Sequence, residues 1–284
     1  MVSWLLRAVR RFDLDRTADL GARLLRRLGP WLRGHQIARA QLAMAFPTKS
    51  DAEREQILAG MWNNLGRLAG EYPHFDRLWD YDWATKTPGR ITMDQASIDA
   101  LTRLREEGRG ALMFAGHLAN WEIPALAAPA IGREIALVFR TPRIGALAEA
   151  LSKARENEVA AVIPAGPETQ FRIREYLRRH WMVGLLIDQY SEHGIDVEFF
   201  GRTCTVNPMI ARFARLFDCP IYGARAIRLE GSRFRFELNE PLDPPRDAEG
   251  KVDVAGTMQL ITTTIEGWVR EHPEQWLWIH RRWR

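Results

Sequence analysis

Two cysteines, Cys204 and Cys219, are all that a chain of 284 residues carries. A disulfide framework cannot be built from one pair at this size, and no Cys/His cluster has the spacing of a zinc site. A reducing compartment is the simplest reading, with no metal and no cofactor expected. No run of about 18 uncharged apolar residues occurs, so a spanning helix is not expected. Arg7, Arg10 and Arg11 interrupt any apolar stretch near the N-terminus, so neither is a secretory leader. Several catalytic signatures are missing too. There is no Gly-x-Ser-x-Gly elbow and no Gly-x-x-x-x-Gly-Lys-Ser/Thr phosphate loop. Gly108-Arg109-Gly110 precedes its apolar run instead of following it, which is the wrong order for a dinucleotide fingerprint. What is present, 46% hydrophobic and 27% charged residues, is an ordinary globular balance. Disordered and low-complexity classes are thereby excluded.

The net charge of +4 hides an asymmetry. Residues 1–50 hold nine Arg and one Lys against three Asp, which is +7, so the remaining residues sum to −3. This basic head is patterned. Leu20, Leu24, Leu25, Leu28, Trp31 and Leu32 recur at helical spacing, with Arg23, Arg26, Arg27 and Arg33 between them. Upstream, Trp4, Leu5, Val9 and Phe12 share a segment with Arg7, Arg10 and Arg11. Such a helix can lie in a membrane interface, where each Arg near an anionic leaflet contributes roughly 1 kcal/mol. The same pattern also fits a helix packed on its own domain with its arginines in water. No nucleic-acid-binding motif accompanies the charge.

Residues 1–85 read as a helical region and residues 86–284 as an α/β domain. In the second part short apolar runs alternate with helical stretches. Strands are expected over 111–115, 135–139, 159–163, 181–187, 221–227 and 233–238. Helices are expected over 121–130, 144–157, 168–180, 208–217 and 257–272. This alternation predicts an α/β fold with a mixed, largely parallel sheet flanked by helices. Met258, Ile261, Ile265 and Trp268 mark a core-facing helix stripe. Trp276 and Trp278 suit a final strand packed inward.

The segment with the clearest chemical content is Gly116-His117-Leu118-Ala119-Asn120-Trp121-Glu122. A strand ends at a glycine, a histidine follows, and a glutamate comes five residues later. Ligands collect beyond the carboxyl ends of strands in open α/β sheets. On one continuous helix a five-residue step turns about 500°, leaving the side chains about 140° apart. The pair therefore needs His117 in a turn and Glu122 at the start of the next helix. Glu122 could then reach back to one ring nitrogen, fixing the tautomer and freeing the other nitrogen as a general base. The alternative is a histidine satisfied structurally. With no nucleophile motif in the chain, direct attack by a substrate hydroxyl on an acyl donor is favoured.

That segment resembles the late acyltransferases of lipid A biosynthesis, the lauroyl/myristoyl transferases within the group that carries His, four residues, then an acid. Further blocks resemble the family in its order: Ala45-Phe46-Pro47, Asn63-Asn64-Leu65-Gly66-Arg67, Glu71-Tyr72-Pro73-His74, Phe139-Arg140-Thr141-Pro142, Leu186-Ile187-Asp188-Gln189, Phe199-Phe200-Gly201 and the closing Pro273-Glu274-Gln275-Trp276-Leu277-Trp278. The resemblance implies transfer of a fatty acyl chain from an acyl carrier protein thioester to a hydroxyl of a lipid A precursor. His117 would be the base and Glu122 its orienter. Asn120, Arg140, Arg155, Asp188 and Gln189 would bind substrate or support the site. Arg155 would face a phosphate or phosphopantetheine. Asp188 could reach the site or hold Arg155, or instead be a buried helix cap or a structural ion pair, and Arg140 could be a surface arginine. The expected location is the cytoplasmic face of the inner membrane, reached through the basic N-terminus. Other readings are an acyltransferase on another polar lipid such as a phosphatidylinositol mannoside, a thioesterase using the same dyad, and a non-catalytic membrane-binding protein.

Overall fold

The computed structural model describes residues 9–139 and 160–283. The helix expected over 144–157, with Arg140 and Arg155, lies outside the described residues. Helix α1 (Leu14–Leu28) starts at Asp13, whose side chain accepts from the Arg16 N–H. Helix α2 (Arg33–Ala45) follows a short turn. Helix α3 (Asp51–Glu71) opens with a capping box between Ser50 and Glu53, so each side chain satisfies a backbone donor of the other.

Helices α1 and α3 cross in backbone contact. Ala18 and Ala22 of α1 are buried there. Thr17 Oγ1 donates to the Gly70 carbonyl at 3.1 Å. A Cβ on Gly66 would collide with the Gly21 carbonyl, and one on Gly70 with that of Thr17. The small face of α1 is therefore the packed face. Its leucine face is left outside: Leu20, Leu24 and Leu28 are 69%, 54% and 46% exposed, and Trp31 just beyond is 88% exposed. Because a backbone carbonyl cannot swing away as a side chain would, Gly66→Ala should destabilise the protein by about 1–3 kcal/mol. A thermal melt of this variant, compared with Ala→Gly at exposed Ala43 as a control, checks this.

The sheet has seven strands in the order β1-β9-β8-β2-β5-β3-β4. In chain order they are β1 (Ile91–Met93), β2 (Ala111–Ala115), β3 (Ile135–Phe139), β4 (Ala161–Pro164), β5 (Met182–Leu186), β8 (Ile221–Arg228) and β9 (Phe234–Leu238). All neighbours are parallel except β8 and β9. The flanking helices are α4 (Gln95–Glu107), α5 (Ile123–Ala130), α6 (Thr169–Arg178), α7 (Met209–Phe217) and α8 (Val254–Glu271). The α8 stripe of Met258, Ile261, Ile265 and Trp268 is buried against the sheet, beside Phe114. This is a mixed, mostly parallel α/β fold with a helical N-terminal region. One apolar cluster joins Leu42, Leu58, Met61 and Trp62 of that region to Phe114 and Trp278.

Some elements escape the sequence pattern. Strand β1 is a three-residue edge strand. Strands β6 (Ile195–Phe199) and β7 (Arg202–Val206) form an antiparallel hairpin outside the main sheet. Their tight turn puts Phe200 and Gly201 at positive φ. Trp276 and Trp278 are buried as expected, but not on a strand. The segment makes one bridge, Leu118 to Trp276, because it crosses the end of the sheet instead of running along an edge.

Candidate active site

Strands β2 and β5 lie side by side and parallel, with Ala115 opposite Leu186. Two residues beyond each strand end stand His117 and Asp188, so the register itself brings them together. Asp188 Oδ1 is 2.7 Å from His117 Nδ1. Its Oδ2 accepts from the His117 backbone N–H at 2.7 Å and from the Trp276 indole at 2.7 Å. Gly116 lets this carboxylate lie across the backbone, since a Cβ there would stand 3.3 Å from Oδ2.

Asp188 is buried. Burial pushes its carboxyl up, but the charge that the His117 ring carries when protonated and the hydrogen bonds from the His117 ring, the His117 backbone and Trp276 outweigh that. Together they hold it well below the usual carboxylate range. An ionised carboxylate only accepts, so Nδ1 carries the ring proton. Nε2 is left with its lone pair, and Gln189 Nε2 donates to it at 3.2 Å. Trp121 and His280 rings stand 5.1 and 5.9 Å from the imidazole. The arrangement fixes one tautomer of the ring, at the carboxyl end of a central strand.

Glu122 does not take the orienting role assigned to it by spacing. Its Oε1 accepts from the Tyr72 hydroxyl at 2.7 Å, and the ring nitrogens of His117 face Asp188 and Gln189. Ala119 sits at φ 45°, and Glu122 stands where expected, at the N-cap of helix α5, but its carboxylate is engaged by Tyr72 while Asp188 and Gln189 occupy the two ring nitrogens.

The strained turn rests on a buried polar network. The Ala119 N–H donates to the Gln275 carbonyl at 2.8 Å, and its carbonyl accepts from Asn64 Nδ2 at 3.0 Å. Asn120 Nδ2 donates to Glu71 Oε2 at 2.9 Å. Glu71 is 0% exposed and is gripped by both Arg228 Nη atoms, with Nη2 at 2.9 Å. Arg228 Nε donates to Asn64 Oδ1 at 2.7 Å. Such strain persists only where its surroundings over-determine it. Glu71, Arg228, Asn64, Gln275 and Tyr72 were not singled out individually from the sequence. A signal existed: Glu71 ends an apolar helix and Arg228 ends an apolar strand, and two buried opposite charges need each other.

Arg282 is buried, and burial pushes its guanidinium down. Its Nη1 donates to the Gln189 carbonyl at 3.1 Å, which steadies the residue facing Nε2. Beside the histidine opens an apolar cavity lined by Ala115, Trp121, Glu122, Ile135, Leu137 and Leu186, among others. The cysteines stand apart from this chemistry. Burial raises the Cys204 thiol and pushes that of Cys219 up to about 11, so neither is a ready thiolate. Among the described residues, no helix is long and apolar enough to cross a membrane.

Residues 1–284 match the family of bacterial lipid A biosynthesis acyltransferases. The chain is also 23% identical over 270 residues to "Lipid A biosynthesis acyltransferase 2" of Shigella flexneri, a match covering 90% of this chain and 81% of that relative. With the match running the full length of the chain and a His–Asp pair at the end of the α/β sheet, this protein belongs to the bacterial lipid A biosynthesis acyltransferase family and is an O-acyltransferase of lipid A synthesis.

Proposed function

We propose that the chain transfers a fatty acyl group from an acyl carrier protein thioester to a hydroxyl of a lipid A precursor, with His117 as general base and Asp188 as its orienting carboxylate. The observation that carries this reading is the 2.7 Å contact between His117 Nδ1 and an ionised, buried Asp188. It leaves Nε2 as the proton acceptor. In the reaction Nε2 takes the acceptor hydroxyl proton while that oxygen forms a bond to the thioester carbonyl carbon. The tetrahedral adduct then collapses, the C–S bond breaks, and the departing thiolate takes the proton back from the imidazolium. Asp188 stabilises the imidazolium between those two moments. Gln189 marks where the acceptor hydroxyl would stand. The neighbouring apolar cavity suits an acyl chain. Asn120 and Glu122 hold the turn through Glu71 and Tyr72 instead of touching the ring.

Membrane contact in this reading is peripheral, at the cytoplasmic leaflet of the inner membrane. Its support is the exposed leucine face of α1 with Trp31 and the interleaved arginines.

His117→Ala tests the assignment. Transfer from a loaded carrier protein to detergent-dispersed lipid A precursor, read by mass spectrometry, should fall by about 10²–10⁴-fold. An unchanged rate would remove His117 from the chemistry. Equal turnover with a coenzyme A thioester would remove the carrier from the donor role.

A further inference from the structure

A second site lies on the far side of the C-terminal segment. An open groove is walled by Arg33 of α2, Arg202 of β7 and Arg281. All three are exposed, and no Asp or Glu lines the groove. Arg202 Nε donates to the Met44 carbonyl. Arg33 and Arg281 pair with no carboxylate among the described residues. Three guanidiniums converging without an acid lack a charge partner.

One further observation points to a ligand. Helix α2 begins at the groove with no side-chain cap and no acidic residue in its first turn. Its N-terminal N–H groups add to the positive field, a setting that favours phosphate. The position identifies the source. Trp31 and Leu32, 88% and 48% exposed, immediately precede Arg33. They place the groove at headgroup depth when the apolar face meets a bilayer. The opposite wall reaches the active site, since Arg281 follows His280, whose ring is 5.9 Å from that of His117.

We propose that this groove binds a phosphate monoester on a membrane-embedded lipid headgroup, that of the acceptor itself, and so presents the acceptor hydroxyl to His117. The proposal rests on the acceptor reading above, and its test uses binding without turnover so that the two can fail separately. Full-length protein is sedimented with phosphatidylcholine vesicles containing a minority of either phosphatidic acid, a monoester, or phosphatidylglycerol, a diester. The protein should prefer the phosphatidic acid vesicles. Each arginine removed should weaken that binding about fivefold, so Arg33→Gln with Arg281→Gln should lose about 25-fold and the monoester preference with it. Arg105→Gln with Arg178→Gln removes the same charge elsewhere on the surface and should keep the preference. Circular dichroism melts check that both variants fold. Equal loss in both double variants means bulk charge alone and overturns the proposal. So does wild-type binding by the groove variant. A raised donor KM with vesicle binding intact would assign the groove to the donor's carrier and also overturn it.

Discussion

Asp188→Asn should lower kcat by about 10³–10⁴-fold with little change in the KM of either substrate. The side chains are isosteric, so Trp276 and the His117 backbone N–H can still donate to the remaining oxygen. What changes is the proton on the ring. An amide that turns its NH₂ toward Nδ1 leaves the imidazole protonated on Nε2, the nitrogen that must accept. It also removes the charge that stabilises the imidazolium. Single-turnover transfer from a loaded carrier protein reads this directly. A loss under tenfold would mean that the histidine does not depend on the carboxylate.

The same variant has a pH signature in stability. The folded state holds Asp188 below its ordinary range, so its stabilising contribution is present above the unfolded carboxylate value of about 3.9. It is lost as pH falls through the folded value. The gap in unfolding free energy between wild type and Asp188→Asn should thus shrink as pH falls below about 4. Urea melts across that range check the sign.

The second large effect is on folding. Glu71→Gln or Arg228→Met should each cost about 3–5 kcal/mol, because each strands a buried charge without its partner. For a chain of this size that corresponds to a melting temperature lower by about 10 °C. Glu71→Leu with Arg228→Met removes both charges together and should recover part of the loss. The recovery will be incomplete, since Asn120 and Asn64 also hydrogen-bond to this pair. Activity should not recover with stability. Ala119 at positive φ relies on Asn64 and Gln275; Asn64 loses the Arg228 Nε donor in this variant, while Gln275 bonds only the Arg228 backbone and keeps it. A double variant as active as wild type would show that the network holds the fold but not the turn.

The sequence already exposed much of the scaffold. Strands over 111–115 and 135–139 could be read to the residue because both are continuous apolar runs. The position of His117 beyond the first of them followed from the same pattern. The two halves of the site were unequal in this respect. Glu122 looked like the partner because it is five residues away, and local spacing is what a sequence displays. Asp188 is 71 residues away, with β3, β4 and α6 between. It meets His117 only because β5 inserts next to β2, out of chain order, in a register that aligns their ends.

The outer face of α1 shows the same division. Periodicity defined a leucine stripe between arginines but could not say whether the stripe packed inward. The backbone crossing at Gly21, Gly66 and Gly70 decided it, because helices in such close contact bury their small residues and leave the large ones outside. Pattern and composition alone therefore determined the fold class, the basic amphipathic head and the place of the histidine, all of which depend on neighbours along the chain. Which carboxylate holds the ring, which charges meet in the core and which face of the first helix stays in contact with solvent were decided by tertiary structure. Those depend on strand order and helix crossing, where residues distant in sequence are fixed within hydrogen-bonding distance.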